Sequence, residues 1–184
     1  MGFKCLQLTL AILKPDVVSM PHIVQDIHST ILKNGFYFVK SKHLQMSRER
    51  AEQFYEEHKG KFFLNRLVNF MSSGPIWTHV LAREDAIAEW RRIMGPTKVL
   101  KTIYEAPHTI RGQYGLTDTR NCAHGSDSEA TAQKEIQFFF PEFDIEKWKT
   151  DEEPLFQSGK VQFDEKSCEH MPVLQHGTSS QGGL

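Results

Sequence analysis

Three short apolar runs, at residues 6–13, 36–42 and 76–82, are set between segments of helical periodicity, and this order constrains the fold more than any other feature. Each run is too short for an ordinary helix and reads as a buried strand. Residues 21–33 carry Ile23, Ile27, Ile31 and Leu32 on one side, with Asn34 and Gly35 as a helix stop. Ser47 opens a helix that carries Tyr55, a second helical stretch covers residues 62–71, and Ser73-Gly74-Pro75 ends it. Residues 84–94 read as a further helix. A short strand then leads to His124, and a last helix spans residues 128–140. Without the helical insertion the order is β-α-β-β-α-β. That order predicts an α+β, ferredoxin-like sandwich: a four-stranded antiparallel sheet covered by helices. Residues 95–119 show no clean period and contain Gly95, Pro96, Pro107 and Gly112, so they read as one long functional loop.

At 184 residues the chain has the size of one ordinary domain. With 39% hydrophobic and 24% charged residues it has the composition of a soluble globular protein. A formal net charge of −1 argues against bulk binding to nucleic acid or a membrane surface, so an anionic ligand needs local cations. Cys5, Cys122 and Cys168 are too few and too scattered in sequence for a disulfide framework or a zinc cluster, which favours a reducing compartment. Gln7 and Thr9 interrupt the first apolar run and Lys14, Pro15 and Asp16 follow it, unlike a secretory signal. Leu6 stands where a myristoylation motif wants Ser or Thr, no Arg- and Ser-rich presequence precedes the first strand, and no segment is long enough to span a bilayer. Beyond Trp148 the composition turns acidic and then Gly-, Ser- and Gln-rich. The expected organisation is a domain over residues 1–148 and a disordered tail over residues 149–184.

Residues 120–128 read Arg-Asn-Cys-Ala-His-Gly-Ser-Asp-Ser. A histidine followed by Gly, Ser, Asp and Ser suits an exposed side chain at a strand end with a helix starting just behind it. Ser126 and Glu129 have capping-box spacing. His124 would then stand before a helix N-terminus, where N–H groups and the helix dipole favour phosphate.

These residues resemble the nucleoside diphosphate kinase family. The likeness lies in Thr9-Leu-Ala-Ile-Leu-Lys14-Pro-Asp, Ser73-Gly-Pro, Thr109-Ile-Arg111-Gly and Arg120-Asn121-x-x-His124-Gly-Ser-Asp-Ser, in the family's order and spanning about residues 6–145. The longer loop over residues 95–111, the Gly115-Leu-Thr-Asp-Thr-Arg-Asn stretch and the tail resemble the divergent type-six branch.

The resemblance implies a ping-pong reaction in which a nucleoside triphosphate such as ATP phosphorylates His124 and the phosphohistidine then phosphorylates a nucleoside diphosphate. It implies that Lys14 reaches the ribose and terminal phosphate, that Arg91 and Thr97 hold the β-phosphate and Arg111 the terminal one, and that Asn121 contacts the ribose hydroxyls. Tyr55 is implied near the histidine, Phe63 as the platform for the base, and Glu135 as the carboxylate that orients the imidazole. Phe63 also reads as core of its helix together with Phe62, Leu67 and Phe70, and Glu135 reads as readily as part of a solvated helix face. Ser126 serves as a partner near the histidine, as the helix cap, or as both. Mg2+ is implied as a bridge between nucleotide phosphates, with Asp127 touching it at most through water and no cage of protein ligands. Asp118 stands where the family has an aliphatic residue against the base. The lengthened loop and the tail both replace assembly elements, which implies a monomer or small oligomer in place of the usual hexamer. They also leave open a weakly active nucleotide-binding subunit that acts with a protein partner. The branch implies mitochondrial association, the cytoplasm being the alternative.

Overall fold

The computed structural model of the chain describes residues 5–173. Strand β1 (Gln7–Leu13) is followed by a single helical turn, α1 (Pro15–Val18), and by helix α2 (Pro21–Lys33). Strand β2 (Tyr37–Gln45) leads to α3 (Arg48–Phe54), a short 3-10 turn (Glu56–His58) and α4 (Leu64–Met71). Then come β3 (Pro75–Arg83), α5 (Ala86–Met94), α6 (Val99–Glu105) and α7 (Ile110–Tyr114). Strand β4 (Ala123–Gly125) precedes α8 (Glu129–Phe139), α9 (Ile145–Asp151) and α10 (Glu153–Gln157), and a hairpin of β5 (Val161–Asp164) and β6 (Glu169–Pro172) closes the described chain.

The first four strands form one antiparallel sheet in the order β2-β3-β1-β4. This is the expected ferredoxin-like arrangement. Side chains alternate across a strand, so β1 feeds two cores at once. Leu8, Leu10 and Ile12 pack under α3, α4, α8, α9 and α10, while Ala11 and Leu13 pack under α2 and α5. Burial on both faces explains why β1 reads as a continuous apolar run rather than an alternating one.

Two segments differ from expectation. The stretch over residues 95–119 is not one loop, because α6 and α7 lie within it. They have 7 and 5 residues, too short to show helical periodicity. The expected boundary at residue 148 is likewise corrected: residues 149–173 fold back onto the domain. Trp148 and Phe156 are buried in the larger core, and Leu6 N–H donates to Glu153 Oε1 at 2.7 Å. The hairpin lies along the edge strand β2, where Phe38 N–H donates to His170 Nδ1 at 2.9 Å and Ser41 N–H to Glu169 Oε1 at 2.8 Å. The acidic composition misleads because most of those charges face outward while a few large aromatics anchor the segment. The expected disorder of residues 174–184 lies outside the described residues.

Candidate active site

His124 is the middle residue of β4 and pairs with Ile12 on β1. Its backbone carbonyl accepts from Trp90 Nε1 at 3.1 Å, so the strand is held by α5 as well as by the sheet. Its ring Nε2 lies 2.7 Å from Glu135 Oε2. The other carboxylate oxygen accepts from Ser126 Oγ at 2.7 Å, and Ser126 Oγ accepts from Leu10 N–H at 3.1 Å. A relay therefore runs from the β1 backbone through a serine and a carboxylate to the imidazole. An ionised carboxylate only accepts, which places a proton on Nε2 and leaves the lone pair on Nδ1. The Phe54 ring meets the imidazole edge-on at 5.3 Å and limits its rotation.

This relay corrects the capping expectation. Ser126 is fully buried and committed to Glu135, whereas Ser128 caps α8 by accepting from Thr131 N–H at 3.1 Å. The relay also removes Glu135 from the solvated-face reading.

His124 opens onto a cleft of about 930 Å3 whose lining includes Tyr55, Arg91, Thr97, Arg111, Asp127 and Glu135. Arg111 is buried, and its guanidinium donates to three carbonyls: Asn121 at 3.1 Å, Gly95 at 2.7 Å and Ala123 at 2.8 Å. An arginine has five N–H donors, so two remain for an anion. Burial lowers the Arg111 pKa to about 10. Arg91 is exposed and forms no ion pair among the described residues, while its neighbour Arg92 is tied to Glu89 at 2.8 Å.

Lys14 and Asn121 lie behind this wall. Lys14 Nζ donates to Asn121 Oδ1 at 2.7 Å, and Asn121 Nδ2 donates to the Asp118 carbonyl at 3.0 Å. Burial, reinforced by the nearby Arg111 charge, lowers the Lys14 pKa to about 8 against smaller opposing effects of Asp16 and Cys122. Tyr55 is buried at the end of α3, where burial and then the Glu135 charge push its phenol upward. Phe63 is half-buried at the start of α4 and meets His58, itself a cleft residue, at 5.4 Å. It is not core in company with Phe62, which is 92% exposed.

The Asp118 side chain faces the loop helices. Its Oδ1 accepts from Val99 N–H at 3.0 Å and its Oδ2 lies 3.6 Å from Lys98 Nζ. It therefore holds the start of α6. Sequence reasoning missed Trp90, Phe54 and His58. Trp90 had no signal apart from a core position on a helix, and Phe54 and His58 flank Tyr55 without any motif.

The family model for nucleoside diphosphate kinase matches residues 7–145. The chain is 52% identical over 167 residues to nucleoside diphosphate kinase 6 of Danio rerio, covering 91% of this chain and 95% of that protein. It is 47% identical over 181 residues to nucleoside diphosphate kinase 6 of Homo sapiens, covering 98% and 94%. Among solved structures, the Aquifex aeolicus nucleoside diphosphate kinase superposes with a TM-score of 0.71 at 38% identity, covering 73% of this chain and 95% of that one. The likeness to type-six relatives extends over nearly the whole chain, and the chain belongs to the nucleoside diphosphate kinase family.

Proposed function

We propose that this chain transfers the terminal phosphoryl group of a nucleoside triphosphate to a nucleoside diphosphate through a phosphohistidine at Nδ1 of His124. The observation that carries this reading is the 2.7 Å contact of Nε2 with Glu135, which leaves the Nδ1 lone pair as the nucleophile in the cleft that Arg111 also lines. In the first half-reaction Nδ1 forms a bond to the terminal phosphorus while the bond from that phosphorus to the bridging oxygen breaks. The electron pair leaves with the diphosphate. The imidazole gains positive charge as the bond forms, and Glu135 stabilises it across the Nε2–H contact. The second half-reaction reverses these steps with another diphosphate.

Phosphoryl transfer depends mainly on positioning and on offsetting charge at the equatorial oxygens. Arg111 and Arg91 supply cationic forks for that purpose, with the Thr97 hydroxyl beside them. Lys14 and Asn121 support the ribose end, and Phe63 offers an aromatic face to the base. The cleft carries arginines and only scattered carboxylates, among them Asp127 and Glu57, and Glu135 is already engaged. That donor set fits Mg2+ held by phosphate oxygens and water, with Asp127 as an outer partner. Bound there, the ion offsets charge on the phosphates.

Labelled ATP tests the reading. Acid-labile, alkali-stable label should appear on His124, pass to added diphosphates and vanish in His124→Asn. Label that persists in the variant at another residue overturns the assignment.

Assembly as a monomer or small oligomer is part of the same proposal, because the β5–β6 hairpin occupies the β2 edge of the sheet. A subunit that acts with a protein partner is the second reading. It is favoured by the outer face of α6, where Leu100 is 73% and Tyr104 84% exposed.

A further inference from the structure

We propose that His28, His79 and Cys168 form a binding site for one zinc-class cation that clamps the C-terminal hairpin to the sheet. The cysteines are too scattered in sequence to suggest such a cluster, but folding brings one of them to two histidines. His28 lies in α2, His79 in β3, and Cys168 at the end of the β5–β6 turn. One ligand atom from each lies within 4.8 Å of the other two. His79 is fully buried, Cys168 is buried, and His28 is partly exposed and leaves a path for an ion.

The hydrogen bonds determine where the protons sit. Ser41 Oγ lies 2.7 Å from the Cys168 carbonyl, which can only accept, so the single Ser41 proton points there. His79 Nδ1, 2.7 Å from the same oxygen, must then be the donor to it. That leaves a lone pair on His79 Nε2, which faces His28 Nε2–H at 3.0 Å. The remaining lone pair, on His28 Nδ1, faces the Cys168 thiol at 3.7 Å. His79 is thus already arranged as a ligating histidine: one nitrogen anchored by a hydroxyl, the other presenting its lone pair.

A cation replaces the protons between these atoms. It takes the Nε2 lone pair of His79, Nε2 of His28 once that proton has moved to Nδ1, and the Cys168 thiolate. The net balance is one proton released per cation, from the thiol. Zinc–ligand bonds of about 2.0–2.3 Å put tetrahedral ligands roughly 3.3–3.7 Å apart, so closing the site needs an approach of about 1 Å at the widest pair. Rotation of the partly exposed His28 side chain would supply it. Two imidazoles and a thiolate without a carboxylate select zinc over magnesium or calcium. The rings of Trp77 and Phe38 pack against His79 at 5.4 Å and 4.9 Å, and a water entering past the partly exposed His28 would complete the tetrahedron.

Cobalt(II) titration of the full, chelator-stripped protein tests the proposal. We expect a thiolate-to-cobalt band in the near ultraviolet together with the visible bands of tetrahedral cobalt, saturating at one equivalent. Zinc should displace the cobalt, one proton should be released, and zinc should slow amide exchange in residues 161–172. Cys168→Ser should abolish the ultraviolet band. His79→Gln is liable to unfold the chain, so His28→Gln, at a partly exposed position, carries the second arm and should weaken binding by more than an order of magnitude. Four results would each overturn the proposal: no saturable band in the folded protein, an ultraviolet band that survives Cys168→Ser, binding left unweakened by His28→Gln, or zinc uptake that leaves exchange in the hairpin unchanged.

Discussion

Arg111 shows how a charge in the cleft is also part of its wall. Its three carbonyl contacts join the end of α5, the segment before β4 and β4 itself. Arg111→Lys keeps a cation but loses the fork. Unfolding in urea should show a loss of about 2–3 kcal/mol, since hydrogen bonds from charged groups contribute about 1.5–3 kcal/mol each and a lysine recovers some of them. Turnover should fall by on the order of 100-fold if the remaining donors hold the terminal phosphate, because a misplacement of about 1 Å is that costly. Glu135→Gln frees the Nε2 tautomer, and phosphoenzyme formation should slow by on the order of 100-fold or more in rapid-quench experiments. Lys14 gives the pH dependence. With a pKa of about 8 it is charged below that pH and neutral above it, so affinity for an anionic nucleotide should fall as pH rises through about 8. Calorimetry on Lys14→Gln should show weaker binding that is flat across the same window. A wild-type profile as flat as the variant's would remove Lys14 from the site.

At the scale of elements, the segment between α5 and β4 determines whether the cations converge. Gly112 sits where an added Cβ would meet the Ala106 carbonyl oxygen at 2.3 Å and Pro107 Cα at 2.9 Å. Both are backbone atoms and cannot swing aside. Gly112→Ala must therefore displace α7 and Arg111 with it. We expect turnover to fall by on the order of 100-fold while the sheet cores stay intact, read as lost activity with near-normal circular dichroism and faster amide exchange confined to residues 99–115. This segment was illegible in the sequence for a physical reason. Its two helices are short, and beside the local Thr109 cap they take their order from contacts of Asp118 with Val99 and of Arg111 with Gly95, 19 and 16 residues apart, which no local pattern displays.

At the scale of the whole molecule, the hairpin covers the β2 edge of the sheet. An uncovered strand presents unpaired N–H and C=O groups that invite another strand. Here His170 and Glu169 receive the Phe38 and Ser41 N–H groups, and Phe163 packs on Phe38 at 5.5 Å. Sedimentation of the full chain should report a monomer or small oligomer. The paired substitution His170→Ala and Glu169→Ala should promote concentration-dependent association through β2. A stable hexamer of the unaltered chain would contradict the proposed assembly.

The sequence by itself determined the four-stranded sheet, the helices that cover it and the family, because β1, β3 and α2 declare themselves through local periodicity and because Lys14, Arg111, Asn121 and His124 sit in ordered motifs. It offered Ser126 as the cap of α8 where the structure has Ser128, since the two serines differ only in what folding places beside them. It read Glu135 as a solvated helix face as readily as a partner of His124, since a helical carboxylate looks the same in either setting. Nor could it foresee the ordered hairpin or the meeting of His28, His79 and Cys168, whose contacts span 51 and 140 residues. Local pattern reports which face of an element is apolar. Which polar groups meet across the core is decided only when the elements pack, because each buried donor must then find its acceptor.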